Sequence, residues 1–215
     1  MTVSIHDRHH AGKLLAEKLE PLIQGKDCLI LAIPRGGVIV GDEIARNLGL
    51  PLDVVIAKKI TPPDYPEYAI GSVTFDGVLF YGQNWSRYSE DSRFQEEVDK
   101  KKAEVNRQIQ AYRGHTNYAL QGKTILLVDD GIATGATVSV ILKWLEKKNP
   151  ESVILATPVN VYSHSRCENL SRPSRRNGIP ILFPQSLNSV VYSSSCNSRL
   201  GFLRLTPNSF EYLWV

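Results

Sequence analysis

Ile125-Leu126-Leu127-Val128-Asp129-Asp130-Gly131-Ile132-Ala133-Thr134-Gly135-Ala136-Thr137 joins a run of apolar residues, two adjacent acids and a turn of small residues. Four successive aliphatic side chains read as a strand covered on both faces, the pattern of a parallel sheet. The acids then stand at the carboxyl end of that strand, the edge at which open α/β sheets bind ligands. Gly131, Thr134, Gly135, Ala136 and Thr137 are small enough to let several backbone N–H groups face one anion. The two threonines add hydroxyl donors and a helix is predicted to follow, so the turn suits a phosphate.

The acids and the turn address different parts of a ligand, because adjacent carboxylates would repel the phosphate that the turn attracts. Carboxylates accept hydrogen bonds from vicinal diols, so ribose hydroxyls are their natural partner and the implied ligand is a ribose 5-phosphate. No Lys follows the turn as a Walker A loop requires, and Gly131 and Gly135 do not fit G-x-G-x-x-G. The plainer reading is a strand-to-helix turn that merely needs small residues, which leaves the paired acids without a purpose. The window resembles the phosphoribosyl pyrophosphate (PRPP) motif of type I phosphoribosyltransferases.

Composition agrees with one α/β domain. The 215 residues, 42% of them apolar, are enough for a sizeable core. No apolar run approaches the roughly 18 residues of a membrane span, and Met1-Thr2-Val3-Ser4-Ile5-His6-Asp7 lacks the apolar segment of a signal peptide, so a cytoplasmic protein with no membrane partner is expected. Cys28, Cys167 and Cys196 share no close spacing and predict neither a metal knuckle nor a disulfide framework.

Outward from the motif the chain reads as a βα repeat. Leu14, Leu15, Leu19, Leu22 and Ile23 predict a helix over 8–24, Cys28 to Ile33 a strand, and 38–48 a second helix. Asp53 to Ala57 reads as a strand ending in Lys58-Lys59 and the loop Thr61-Pro62-Pro63-Asp64-Tyr65-Pro66, which cannot be helical. Tyr68 to Tyr81 alternates about Asp76-Gly77 and predicts a hairpin. A charged helix over about 90–113 carries Phe94, Val98, Val105, Ile109 and Tyr112 along one stripe, and Lys100, Lys101 and Lys102 read as its solvated face. A helix to about Lys148 and a strand Val153 to Ala156 complete the pattern.

Three strand ends are therefore expected along one sheet edge. The first carries Pro34-Arg35-Gly36-Gly37, where Arg35 can pair with phosphate oxygens and the glycines let backbone approach a ligand. The second carries Lys58 and Lys59, and a pyrophosphate would be held by such cations. Each signal is ordinary alone, since glycine turns and lysines often close strands. His6, His9 and His10 read as a solvated helix start, because His9 and His10 are adjacent and point about 100° apart. Tyr65 and Tyr68 could stack on a planar base, but packing on a neighbouring surface is the stronger expectation.

The resemblance extends to Asp7-Arg8, Ala11-Gly12, Ile33 to Val38, Pro51 to Val54, Pro66 to Gly71 and Pro158-Val159, which look like the bacterial and archaeal branch described as predicted phosphoribosyltransferases. It implies a three-layer, doubly wound α/β fold with a mainly parallel sheet and a β-hairpin flap. It also implies that Asp129 and Asp130 are catalytic and bind the ribose hydroxyls. Ala133, Thr134, Gly135, Ala136 and Thr137 would bind the 5-phosphate, and Arg35, Gly36 and Gly37 the pyrophosphate, in a loop with an unusual cis peptide. Mg²⁺ is the implied cofactor, with no direct protein ligand assigned and Asp129 or Asp130 touching it through water. The hairpin 68–81 and the loop 61–66, with Glu67 and Tyr68, are the expected lid, and Asp7 and Arg8 are expected in a cap or ion pair. A homodimer is expected by resemblance alone.

From Asn160 onward there are no Lys, no Asp, two Glu, six Arg and eleven Ser, against twelve Lys and seven Ser before it. The expected organisation is a core over 1–159 and a divergent segment over 160–215, read either as part of a base-binding hood or as poorly ordered. Without that segment 19 basic residues face 20 acidic ones, so the net charge of +3 comes from the tail and a nucleic-acid partner is not expected. The leading function is a Mg²⁺-dependent pentosyltransferase that moves phosphoribosyl from PRPP to a nucleobase or related nitrogen heterocycle and releases pyrophosphate. The alternative is a PRPP- or nucleotide-binding regulatory protein without transferase activity.

Overall fold

The computed structural model describes residues 5–62, 65, 68–82, 85–88, 91–132 and 135–158, and the backbone of two strands at 201–206 and 209–214. In chain order the elements are α1 (Arg8–Ile23), β1 (Cys28–Ala32), α2 (Gly36–Leu48), β2 (Leu52–Val54), β3 (Ala57–Ile60), β4 (Gly71–Thr74), β5 (Leu79–Tyr81), α3 (Ser92–Arg113), β6 (Thr124–Val128), α4 (Ala136–Glu146), β7 (Ser152–Thr157), β8 (Gly201–Thr206) and β9 (Ser209–Trp214). They form two units: residues 1–53, 120–133 and 149–215, and residues 54–119 and 134–148. The fold is mixed α/β, as the βα pattern implies.

The first unit is built on a sheet of order β2-β1-β6-β7-β8-β9. β1 and β6 run parallel in the register Cys28↔Thr124 to Ala32↔Val128, and β6 and β7 parallel in the register Thr124↔Ser152 to Val128↔Ala156. β8 adds antiparallel to β7, and β9 to β8. Side chains two apart share a face. Cys28, Ile30, Leu126, Val128, Ile154 and Ala156 accordingly pack with Leu15, Leu19 and Ile23 of α1 and Val40 and Ile44 of α2. The intervening Leu31, Ile125, Leu127 and Val153 are also buried, which is why the strands read as continuous apolar runs rather than alternating ones.

The second unit holds the antiparallel sheet β3-β4-β5 with α3 and α4. Its hairpin turns at Asp76-Gly77 as expected: Gly77 has φ +81°, and the Gly77 N–H donates to the Thr74 carbonyl at 3.1 Å. Ile60, Ile70 and Val73 pack against Phe94 and Val98 of α3, and Ile56 against Val105 and Ile109. Tyr112 departs from the expected stripe and is 56% exposed.

One expectation needs correction. The strand expected over 53–57 is two strands in two sheets, because Ala57–Ile60 finds an antiparallel partner in β4, with Lys58 opposite Val73 and Lys59 opposite Ser72. Lys58 and Lys59 therefore lie within β3 and do not close a strand of the main sheet. Within the expected hairpin, all four residues of β4 are buried, with Ile70 and Val73 packed against α3. Pro63, Asp64, Pro66 and Glu67 of the neighbouring loop lie outside the described residues.

Candidate functional site

In the first unit, two strand ends stand side by side. The Ile33 N–H donates to the Val128 carbonyl at 2.8 Å, continuing the β1–β6 ladder to its last rung. Beyond it the chain turns through Pro34-Arg35, a cis peptide as the resemblance implied, and enters α2 at Gly36. β6 ends beside it. The Asp129 N–H donates to the Ala156 carbonyl at 3.2 Å, and the Asp130 N–H donates to Asp129 Oδ1 at 2.9 Å.

The glycines of the turn are there for space. A Cβ on Gly36 would fall on the Asp130 carboxylate, and one on Gly37 would lie 2.8 Å from the Val128 carbonyl oxygen and 3.0 Å from Asp129 Cα. The glycine turn and the acid pair, more than ninety positions apart in sequence, are thus in contact. Arg35 occupies the N-cap position of α2 without a side-chain cap bond, and its side chain is exposed. The first N–H groups of a helix lack intrahelical acceptors, so this start offers donors to an anion.

A third segment reaches the acids. Arg8, the first residue of α1, donates from Nε to Asp130 Oδ2 at 2.8 Å, with Nη2 at 2.7 Å from the same oxygen. Asp7 before it caps the helix by accepting the His10 N–H at 2.8 Å, and that bond holds its carboxyl below the ordinary value. Both roles expected of Asp7-Arg8, cap and ion pair, are present. His9 Nδ1 lies 3.2 Å from Glu43 Oε2 of α2, and this contact lowers the Glu43 pKa.

In the second unit, α4 begins after Gly135, which has φ +69° and whose carbonyl accepts the Ser139 N–H at 2.8 Å. Ala136 and Thr137 form its first turn, and Ala133 and Thr134 lie outside the described residues. The buried Ser72 hydroxyl donates to the Ala136 carbonyl at 2.6 Å and ties that turn to β4. No sequence pattern signals this role of Ser72, which sits in a hairpin strand far along the chain. Lys58 is engaged with Glu104 at 2.9 Å, holding that carboxyl below its ordinary value, whereas the residue Lys59 is exposed. Tyr65 and Tyr68, expected to pack on a surface, are 62% and 43% exposed.

The Asp129-Asp130 donor set is all oxygen, hard and partly exposed. Among the described residues there is no group of three His, Cys, Asp or Glu that could hold a metal by itself. That set fits an ion such as Mg²⁺, which keeps most of its waters and takes one or two carboxylates together with ligand oxygens. No helix among the described residues is long and apolar enough to cross a membrane.

An α/β sheet with parallel central strands and a glycine turn packed on paired acids defines a class, and the chain belongs to the phosphoribosyl transferase domain family, whose model matches residues 3–172. Two Mycobacterium tuberculosis proteins, from strains CDC 1551 and H37Rv and provisionally named phosphoribosyl transferases, are 36% identical over 156 residues, or 71% of this chain. The chain spans 35% of the length of those relatives. The crystal structure of TT1426 from Thermus thermophilus is similar at 36% identity and a TM-score of 0.62, covering 87% of this chain and 88% of that one.

Proposed function

We propose that this phosphoribosyltransferase-domain protein uses PRPP, transferring its 5-phosphoribosyl group to a nucleobase or related nitrogen heterocycle. The observation that carries the reading is the contact between the Arg35-Gly36-Gly37 turn and Asp129-Asp130. It gives one edge both cationic and backbone donors for pyrophosphate and carboxylate acceptors for a sugar diol. Asp129 and Asp130 accept the ribose hydroxyls and orient the sugar. Arg35 and the first turn of α2 hold the departing pyrophosphate, and Ala133 to Thr137 take the 5-phosphate.

In the reaction the bond from the anomeric carbon to the pyrophosphate oxygen breaks, and its electron pair leaves with pyrophosphate. A ring nitrogen of the acceptor supplies the pair for the new C–N bond and gives up its proton to water. The transition state has oxocarbenium character, so carboxylates near the ribose ring and donors near the leaving group both favour it. Mg²⁺ held through water by Asp129 or Asp130 would screen the pyrophosphate charge.

Calorimetric titration with PRPP, with and without Mg²⁺, followed by a pyrophosphate-release assay over a panel of bases, tests the proposal. Mg²⁺-dependent binding and release with one base is expected; no PRPP binding would overturn it. The second reading, a PRPP-binding regulatory protein, is favoured by one observation: the family match ends at residue 172 and leaves 173–215, with their altered composition, outside it. Binding without release for any base would select that reading.

A further inference from the structure

We propose that Arg8 is a positioning residue for the sugar-binding acid, holding Asp130 by one oxygen and leaving the other for the ligand. The proposal rests on reading Asp130 as a ribose acceptor, and deepens it by naming what fixes that acceptor in place.

Both guanidinium nitrogens that reach Asp130 fall on Oδ2, at 2.8 and 2.7 Å. No described residue places a hydrogen bond on Oδ1. A guanidinium can span both oxygens of a carboxylate; here the fork is side-on and does not consume the acceptor. Oδ2 is also the oxygen that lies where a Gly36 Cβ would be. The carboxylate is therefore drawn by Arg8 into space that only glycine leaves open, which fixes its rotation and with it the direction of Oδ1.

Arg8 is itself held from both sides in sequence. Asp7 caps α1 through the His10 N–H, and His9 meets Glu43 on α2. The Arg8 side chain is 55% exposed and that of Asp130 28%. A pair so exposed contributes little to folding, and its consequence falls on where the carboxylate points. Arg8 also offsets one of two adjacent negative charges at an edge that has to admit an anionic sugar phosphate. Three segments distant in sequence, at residues 7–9, 36 and 129–130, meet to aim one oxygen.

The test is calorimetric binding of ribose 5-phosphate and, separately, inorganic pyrophosphate, both with Mg²⁺, to the full chain and to Arg8→Ala, Arg8→Lys, Asp130→Asn and the Arg8→Ala/Asp130→Asn double variant. Arg8→Ala is expected to weaken ribose 5-phosphate about tenfold and pyrophosphate less than about twofold, with Arg8→Lys recovering part of the loss. In the Asp130→Asn background Arg8→Ala is expected to add less than about twofold, because its route to the ligand is gone. Unchanged ribose 5-phosphate binding in Arg8→Ala would overturn the proposal. So would an equal loss for pyrophosphate, which marks a direct anion contact or a general structural effect, or a full effect persisting in the double variant. Failure of the unmodified chain to bind either ligand would instead bring down the phosphoribosyl reading, and this inference with it.

Discussion

Two glycine-bearing turns start two helices in this chain, and they use glycine for different reasons. The turn into α2 needs room: neither Gly36 nor Gly37 has a positive φ, but a Cβ on either would strike the end of β6 or the Asp130 carboxylate. The turn into α4 needs a backbone angle: Gly135 sits at φ +69°, which costs an L residue about 1–2 kcal/mol. Both helices begin without a side-chain cap bond or an acid in the first turn, so both leave N–H donors for an anion. They differ in charge as well, since Arg35 stands at the first turn and no cation lies in Gly131 to Thr137. The same letter in two similar motifs thus reports close packing in one place and local conformation in the other.

Substitution separates the two cases. Gly36→Ala is expected to have the largest effect, costing about 1–3 kcal/mol of stability by overpacking and weakening ribose 5-phosphate more than about tenfold as Asp130 is displaced. Chemical denaturation and calorimetry read both, and unaltered ribose 5-phosphate binding would separate the turn from the acid. Gly135→Ala is expected to cost about 1–2 kcal/mol, with Gly135→Asn recovering part of it because Asn tolerates the left-handed region. A Gly135→Asn no better than Gly135→Ala would show that space, not conformation, governs this turn too. Arg35→Ala sharpens the charge difference: pyrophosphate should weaken about tenfold and ribose 5-phosphate less than about threefold, with little change in melting temperature. Equal losses would contradict the placement of pyrophosphate at α2.

The smallest expected effect lies at the far end of α4. Burial pushes the Glu146 carboxyl above its ordinary value of 4.5, so the folded state favours the protonated form. Stability from this group is complete below the unfolded value and declines as pH rises from there through the folded one. Glu146→Gln should therefore raise the melting temperature at neutral pH and give progressively less gain as pH falls toward 4.5. An equal shift at both pH values would assign the gain to something other than ionisation.

Local pattern carried much of the fold. The helices at α1, α2, α3 and α4, the strands β1, β6 and β7 and the turn at Asp76-Gly77 follow from periodicity and from glycine chemistry, which depend only on neighbours in sequence. The division of residues 52–60 into β2 and β3 did not, because it is decided by which strand captures the free backbone groups, and that partner, Gly71–Thr74, lies beyond a proline-rich loop. The commitment of Lys58 to Glu104 was hidden for the same reason: a lysine at the end of an apolar run looks alike whether it faces a ligand or a helix.

The sequence by itself determined the candidate chemistry: two acids at a buried strand end, a small-residue turn after them, and an arginine before two glycines. Each is a property of a few adjacent residues, and short-range sterics and hydrogen bonding are enough to specify it. Only the tertiary structure decided that Gly36 and Gly37 lie against Asp129 and Asp130, that Arg8 takes Asp130 Oδ2, and that Ser72 anchors the start of α4. Those are contacts between segments 64 to 122 positions apart. They arise where parallel strand pairing and helix packing bring the ends of separate elements together, and no local pattern of residues encodes that register.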